Sequence, residues 1–312
     1  MFARAYVTQI ITGAVVLGAL TASPAASDRV SSPGTTIAGQ AREGRVYITV
    51  TDGDRKVLPL AAADVAITED GRAREVLRVE KAAGPIHVAL LVDDSQAAQN
   101  AINEMRAGLK QFVATVLDAN AESQIALISF GERPTLLTDY TSSRAQLERG
   151  INRIFARQGS GAYLLEAVVS AARGIATRDA ARAHIVVVGT EGVEFSNDHY
   201  DRVLDQLFES GATLWALTLT AGPRADETDE VRNRSVVIGR GTSQTGGRQD
   251  QVLANSAIAM SLGRVADAIF NQYVITYGRP DALVPPKTIN VKVSTPGARV
   301  LAPEHAPRVR KQ

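Results

Sequence analysis

The sequence predicts an α/β fold: a doubly wound, mostly parallel sheet inserted in a small antiparallel β domain. Three observations carry this expectation. Four near-continuous apolar runs, HVALLV (87–92), QIALISF (124–130), HIVVVGT (184–190) and ATLWALTL (212–219), suit strands buried on both faces. The stretches between them repeat apolar residues at spacings of three and four, the helical period. Alternating β patterns with Asp-Gly turns precede this region, and alternating patterns return after it.

From the N-terminus, residues 1–26 read as a secretory signal: Arg4 supplies the positive start, Ile10 to Leu20 the apolar run, and Ser23-Pro24-Ala25 a small-residue cleavage site. Thr12, Gly13 and Gly18 thin that run, which is shorter than the roughly 20 residues of a spanning helix. The expectation is an exported chain, periplasmic or secreted, with no membrane span once the signal is removed. Residues 27–43, rich in Ser, Thr, Gly and Pro, read as a flexible leader, with order beginning near Arg45.

Residues 44–83 and 272–302 are expected to form one discontinuous β domain. The first segment alternates at Val46, Ile48 and Val50, turns at Asp52-Gly53, and carries two further runs around Asp70-Gly71. The second contains QYVITYGRP and KTINVKVSTPGARVLAP, separated by Pro285-Pro286. Between them, 84–271 forms the α/β domain. Its helices are marked by Ala101, Met105, Leu109, Phe112, Val113, Val116 and Leu117, by Leu147, Ile151 and Ile154, and by Leu164, Val168 and Ala171. PTLLT (134–138) reads as an edge strand, and Trp215 as core. Residues 221–250 read as a long polar, glycine-rich connection with one apolar island, Val236 to Ile238, before a last helix with Leu253, Ile258, Leu262, Val265 and Ile269 on one face. Residues 303–312 read as a flexible tail.

The chain has no cysteine, which excludes disulfides and thiolate zinc sites and leaves stability to core burial. Arg4 is the only charge in the signal, so of the 34 basic residues 33 remain, against 33 acidic ones. That balance excludes nucleic-acid or anionic-membrane binding through bulk charge.

Ligands on such a sheet bind at the carboxyl ends of its strands. Three loops lie there: Asp93-Asp94-Ser95-Gln96-Ala97, Arg157 to Tyr163, and Gly189-Thr190-Glu191-Gly192. With these loops the chain resembles the von Willebrand factor A domain, and more closely the exported bacterial proteins that carry a related domain. In that family a β segment with a phrase like "eDF-v-eDG" precedes the α/β domain, matched by Ala63 to Gly71. A "TGG" phrase matched by Thr245-Gly246-Gly247 precedes the last helix, and "QY-L-Y", matched by Gln272 to Tyr277, follows it. The resemblance spans roughly residues 45–302.

It implies a metal-ion-dependent adhesion site: an Asp-x-Ser-x-Ser loop, a Thr from a second loop and an Asp from a third. Mg²⁺ requires hard oxygens in a near-octahedral array at about 2.0–2.1 Å. Asp93 and Ser95 keep their positions in that pattern, but the second serine is Ala97, the threonine falls on Ala162 and the aspartate on Glu191. Waters can fill such gaps, and Asp94, Ser160, Thr190 and Glu194 supply oxygens nearby, but the preorganised cage is gone. The expected metal set, Asp93, Ser95 and Glu191, is therefore degenerate: no cofactor is expected, and Mg²⁺ or Mn²⁺ at most weakly. Asp93 and Ser95 would instead satisfy backbone donors at the loop and helix start.

Other chemistries fit less well. LLVDDS is similar to the first strand of a receiver domain, with Asp139 as acceptor, but no lysine lies between Lys110 and Lys287 to hold a phosphoryl group. No Gly-Lys-Ser/Thr and no Gly-x-Ser-x-Gly occurs, and His87, His184, His199 and His305 are scattered, so neither a nucleotide site nor an enzyme is expected. A protein partner is. The residues expected at its surface are Asp93, Ser95, Gln96, Tyr163, Glu191 and Phe195, with His199 nearby; Tyr163 and Phe195 either anchor the partner or pack against each other's loops. The sequence thus reads as an exported, non-catalytic protein-interaction module with a degenerate metal site; the alternative is a metal-dependent Mg²⁺ or Mn²⁺ adhesion domain whose coordination is completed by water.

Overall fold

The apolar runs become the interior of a six-stranded sheet. The computed structural model describes residues 42–52, 55–56, 60–178, 180–220, 224–281 and 283–307, all within one unit of the chain, Gly39–Gln312. The signal, most of the leader and residues 308–312 lie outside the described residues.

The first β segment gives β1 (Arg42–Asp52), β2 (Arg55–Lys56), β3 (Val65–Glu69), β4 (Arg72–Arg74) and β5 (Val76–Lys81). The α/β region follows as β6 (His87–Val92), α1 (Ile102–Ala119), β7 (Gln124–Ser129), β8 (Thr135–Thr141), α2 (Arg144–Asn152), α3 (Leu164–Ala176), β9 (Ala183–Thr190), α4 (Tyr200–Ser210), β10 (Thr213–Leu219), α5 (Asp229–Gln244), β11 (Gln249–Val252) and α6 (Ile258–Phe270). The chain closes with β12 (Tyr273–Arg279), β13 (Ile289–Val293) and β14 (Ala298–Leu301).

The large sheet has the order β11-β10-β9-β6-β7-β8, parallel except for the edge strand β8. One core cluster packs α1, α2 and α6 on one face, and another packs α3, α4 and α5 on the other. Every residue of β9 is buried, which is why that segment reads as continuous apolar sequence. The chain leaves β6 in one direction to β7 and returns on its other side to β9, so the strand order switches at the carboxyl end of β6, the place where such sheets bind ligands. No helix among the described residues is long and apolar enough to cross a membrane.

The β strands before and after this region pair with each other. β1 lies antiparallel to β12, which takes β5 on its other side, and β3 lies between β4 and β13. Asp70 (φ 45°) and Gly71 (φ 77°) join β3 to β4, the two left-handed positions of a type I′ hairpin. Val46, Ile48, Ile67, Ile275 and Tyr277 form this unit's core.

Four differences from the sequence reading have physical causes. Residues 224–250 are not a loop: α5 lies within them and β11 begins there. Thr228 caps α5 by accepting from Val231 N (3.3 Å), with Asp229 and Glu230 in the first turn. The buried stripe of α5 is Arg234, Val237, Ile238, Gly241 and Thr242, so its helical period is written in residues an apolar count misses. Leu253 precedes α6 and is exposed rather than on its buried face. β1 already includes Arg42, ahead of Arg45, because the ladder to β12 runs past the apolar alternation as far as Arg42–Arg279. Residues 303–307, expected to be a free tail, are held by backbone bonds: Glu304 N donates to Gln244 O (2.9 Å) and Ala306 N to Lys287 O (2.9 Å).

The Thr245-Gly246-Gly247 phrase has a local reason. The Thr245 hydroxyl accepts from Leu214 N (2.9 Å), Gly246 is left-handed (φ 76°), and a Cβ on Gly247 would lie 1.8 Å from Leu214 O. Only glycine lets this turn lie against β10.

Candidate functional site

Asp93 directly follows β6 and is fully buried. Oδ1 accepts from Ser95 N (2.9 Å), and Oδ2 accepts from Thr190 N (3.1 Å) and Thr190 Oγ1 (2.6 Å). Asp93 therefore ties the first strand-end loop to the third, and both its oxygens are occupied from within the fold. Ser95 does not make the expected cap: its hydroxyl is buried and has no hydrogen-bond partner.

The other carboxylates at this end are matched with arginines. Asp94 accepts from Gly131 N (2.6 Å) and Arg157 Nε (3.0 Å), and Arg157 also reaches Glu132 (2.9 Å). Glu191 Oε2 accepts from Arg224 Nε at 2.8 Å, with Nη2 at the same distance. Glu194 is buried; it accepts from Leu164 N (2.9 Å) and Ser196 Oγ, and Arg234 lies 3.6 Å from Oε2. Burial pushes the Glu194 carboxyl up to about 7; Ser196, Arg234 and the Leu164 amide pull it down, and the Asp93 charge adds to the rise. Arg234 also donates to Gly192 O (2.7 Å), which fixes the third loop.

Both alanines lie against the chain that follows β9. Ala162 is buried and bridges to Glu194, with Ala162 N donating to Val193 O and Phe195 N to Ala162 O, both at 2.8 Å. Ala97 faces Gly192 so closely that a Cβ on Gly192 would lie 2.3 Å from its own. Gly192→Ala should therefore cost about 1–2 kcal/mol through overpacking, and Ala97→Gly in the same chain should recover part of it. Urea unfolding of the two single variants and the double one checks this; additive losses would mean that the loops do not meet there.

Of the six residues expected at a partner surface, Gln96, Tyr163, Glu191 and Phe195 reach solvent, whereas Asp93 and Ser95 lie beneath it, because their loop folds inward to meet Thr190. Gln96 Oε1 accepts from Gly159 N (2.8 Å), linking the first loop to the second. Tyr163 and Phe195 pack edge to face, with ring centres 6.1 Å apart, and Phe195 still keeps 47% of its surface exposed. The rings brace each other, as one of the two readings expected, and the Phe195 ring remains open to solvent. His199 is an exposed residue at the start of α4, 3.4 Å from Asp201. The sequence reading missed Phe155, 63% exposed with the Arg106 guanidinium 4.2 Å from its ring centre, and Val193. The doublet Ile154-Phe155 was the available signal, because only Ile154 is needed on the buried face. It also missed Arg157, Arg224 and Arg234, which lie far from their partners in sequence. No cluster of three or more His, Asp or Glu suited to hold a metal ion occurs among the described residues.

Residues 88–193 match the family model of the von Willebrand factor type A domain. No curated protein matches the chain. Among solved structures it is similar to a von Willebrand factor type A protein from Catenulispora acidiphila, at 13% identity and a TM-score of 0.50, with 84% of this chain and 72% of that one covered. It is also similar to an aerotolerance-related membrane protein from Bacteroides fragilis (15% identity, TM-score 0.44, 58% of this chain and 98% of that one). A third is the vWF domain of the type V pili tip protein Mfa5 from Porphyromonas gingivalis (13% identity, TM-score 0.45, 59% of this chain and 95% of that one). At 13% identity the first of these shows a likeness of fold alone.

Proposed function

We propose, on the premise that this chain carries a von Willebrand factor type A domain, that it is an exported, non-catalytic protein-interaction module whose strand-end face docks a protein partner without a bound metal. The observation that carries this reading is the internal use of the oxygens a cation would need: Asp93 is bonded to Ser95 N and Thr190, and Glu191 is paired with Arg224. The residues present do not fit an octahedral ion, since Ala97 and Ala162 offer no oxygen and Ala97 abuts Gly192. On the same face Phe155, Val193 and Phe195 are exposed, and rigid aromatic side chains on strand-end loops make good anchors for a protein partner. We take Gln96, Tyr163, Glu191 and Phe195 as its contact residues.

The export reading rests on the apolar segment and cleavage pattern in residues 1–26. The division into an α/β domain (84–271) set into a discontinuous β domain (44–83 and 272–302) rests on the pairing of β1 with β12 and β3 with β13.

One observation favours a second reading, a Mg²⁺- or Mn²⁺-dependent adhesion domain completed by water: the buried Ser95 hydroxyl has no partner, and a cation would satisfy it. Calorimetric titration with MgCl₂ and MnCl₂ separates the two. The metal-free reading expects no affinity tighter than about millimolar, the weak end of protein cation sites, and capture of a native partner that EDTA leaves unchanged and Phe195→Ala weakens. Binding well below millimolar that Ser95→Ala abolishes would establish the second reading.

A further inference from the structure

We propose that the tip of the loop between β12 and β13, Leu283-Val284-Pro285, is a membrane-docking element that inserts into the surface of a lipid bilayer. Leu283 is fully exposed and Val284 is 74% exposed, so two apolar side chains stand side by side in water. The backbone keeps them there. Before the tip, Asp281 pairs with Arg42 (3.2 Å). After it, the Asp70 carboxylate accepts from Lys287 N (3.1 Å) and Thr288 N (2.9 Å), and Ala306 N donates to Lys287 O (2.9 Å). Proline fixes its own φ and holds the residue before it extended. With Pro285 and Pro286 leading into this clamp, the tip has little freedom to turn back onto the β core.

Lipid suits this tip better than a protein groove. Moving exposed Leu and Val side chains out of water is favourable in proportion to their apolar area. An unpaired backbone N–H is costly in lipid, and Pro285 and Pro286 carry none. The surrounding charge fits a phosphate headgroup. Arg72 and Lys287 are exposed beside the tip, whereas Asp281 is paired with Arg42 and the Asp70 carboxylate is turned to backbone amides and the Thr288 hydroxyl. Long Lys and Arg side chains reach headgroups while their loop sits deeper. Insertion, rather than bulk charge, supplies the affinity. A groove that reads proline takes an extended segment of the P-x-x-P kind; here the prolines are adjacent, the chain bends at Leu283-Val284, and β13 begins at Ile289. The loop belongs to the β unit, which meets the α/β domain at the amino ends of its strands, where Arg182, just before β9, donates to Gly84 O (3.2 Å) and Ile269 O (2.8 Å). Docking through it leaves the strand-end face open. Few residues insert, so binding should be reversible and weaker than that of a single acyl chain.

Residues 1–26 are removed for the test, because their apolar run would itself bind lipid. The chain should co-sediment with vesicles of phosphatidylcholine carrying about 30% phosphatidylglycerol, an anionic surface, with half of it bound at about 1 mM lipid. Vesicles of phosphatidylcholine alone should bind it severalfold less well. Leu283→Ser with Val284→Ser should weaken binding to both vesicles roughly tenfold or more. Lys287→Gln should reduce only the anionic preference, and Met260→Ser, which removes an exposed apolar side chain elsewhere, should change nothing. Because the only tryptophan, Trp215, is buried, Leu283→Trp gives a second reading: its emission should shift to the blue when vesicles are added. Circular dichroism and thermal melts establish that each variant is folded. No binding to either vesicle, binding that survives the double serine variant, or a tip that holds a soluble protein and ignores lipid would each overturn the proposal.

Discussion

Glu69→Ala should lower the free energy of unfolding by about 3–5 kcal/mol, the cost of removing one partner from a buried ion pair. The Glu69 carboxylate has no exposed surface. It accepts from Arg279 Nε (2.8 Å) and Nη2, from Tyr277 Oη (2.7 Å) and from Arg74 Nε (3.0 Å). Alanine would leave Arg279, with only 5% of its side chain exposed, as a buried cation without a counter-charge. Arg279 also donates to Pro307 O (2.8 Å), so residues 303–307 should loosen in the same variant. Burial alone would push the Glu69 carboxyl up, but the bonds from Arg279, Tyr277 and Arg74 outweigh it and hold it below its ordinary value of 4.5. A carboxyl depressed on folding contributes stability that is fully present above that value and is lost as pH falls through the folded one. The gap between the parent chain and Glu69→Gln should therefore be constant above about 4.5, the ordinary value, and should narrow below it. Urea unfolding across pH reads both effects, and a loss under about 1 kcal/mol for Glu69→Ala would mean that solvent reaches the cluster.

How far the fold could be read from sequence depended on whether burial had to be apolar. The interiors of β6 and β9 are covered on both faces by helices, and a strand so placed has little choice but Val, Ile, Leu and Ala. In α5 the buried stripe includes Arg234, whose charge is used to fix Gly192 O and to face Glu194. Gly241 lies in the same stripe because a Cβ there would meet Leu214 at 2.8 Å. A segment selected for close approach and internal charge looks like a loop to any hydrophobic count.

The candidate site divides in the same way. The placement of Asp93, Ser95 and Ala97 just after a buried strand follows from local pattern; that of Ala162, which lies between α2 and α3, follows from the family resemblance. The arginines that neutralise its acids do not: Arg157 is 63 residues from Asp94, and Arg224 is 33 from Glu191. Only the folded chain brings these charges together. Nor does sequence reveal that Thr190, read as a spare oxygen, turns inward and gives its hydroxyl to Asp93.

That inward turn makes Asp93→Ala the sharpest test of the site, because a metal ligand and an internal clasp respond in opposite ways. A carboxylate kept for a cation is held close to other ligand oxygens, so in EDTA its removal should be neutral or even stabilising. An internal clasp is different. Asp93 satisfies two backbone amides and one hydroxyl in a place closed to water, and each buried donor left unmatched costs about 1–3 kcal/mol. The Thr190 hydroxyl can rotate toward another acceptor, whereas the amides of Ser95 and Thr190 are fixed by the backbone. The expected loss is about 3–4 kcal/mol in EDTA, from the two fixed amides and part of the hydroxyl. Asp93→Asn, which keeps one acceptor oxygen, should lose an intermediate amount. Because Asp93 joins the first and third loops, amide exchange should quicken at Ser95 and Thr190 before it does in β9. Equal stability of Asp93→Ala and the parent chain in EDTA, with exchange at Thr190 unchanged, would refute the clasp and return Asp93 to the role of a ligand.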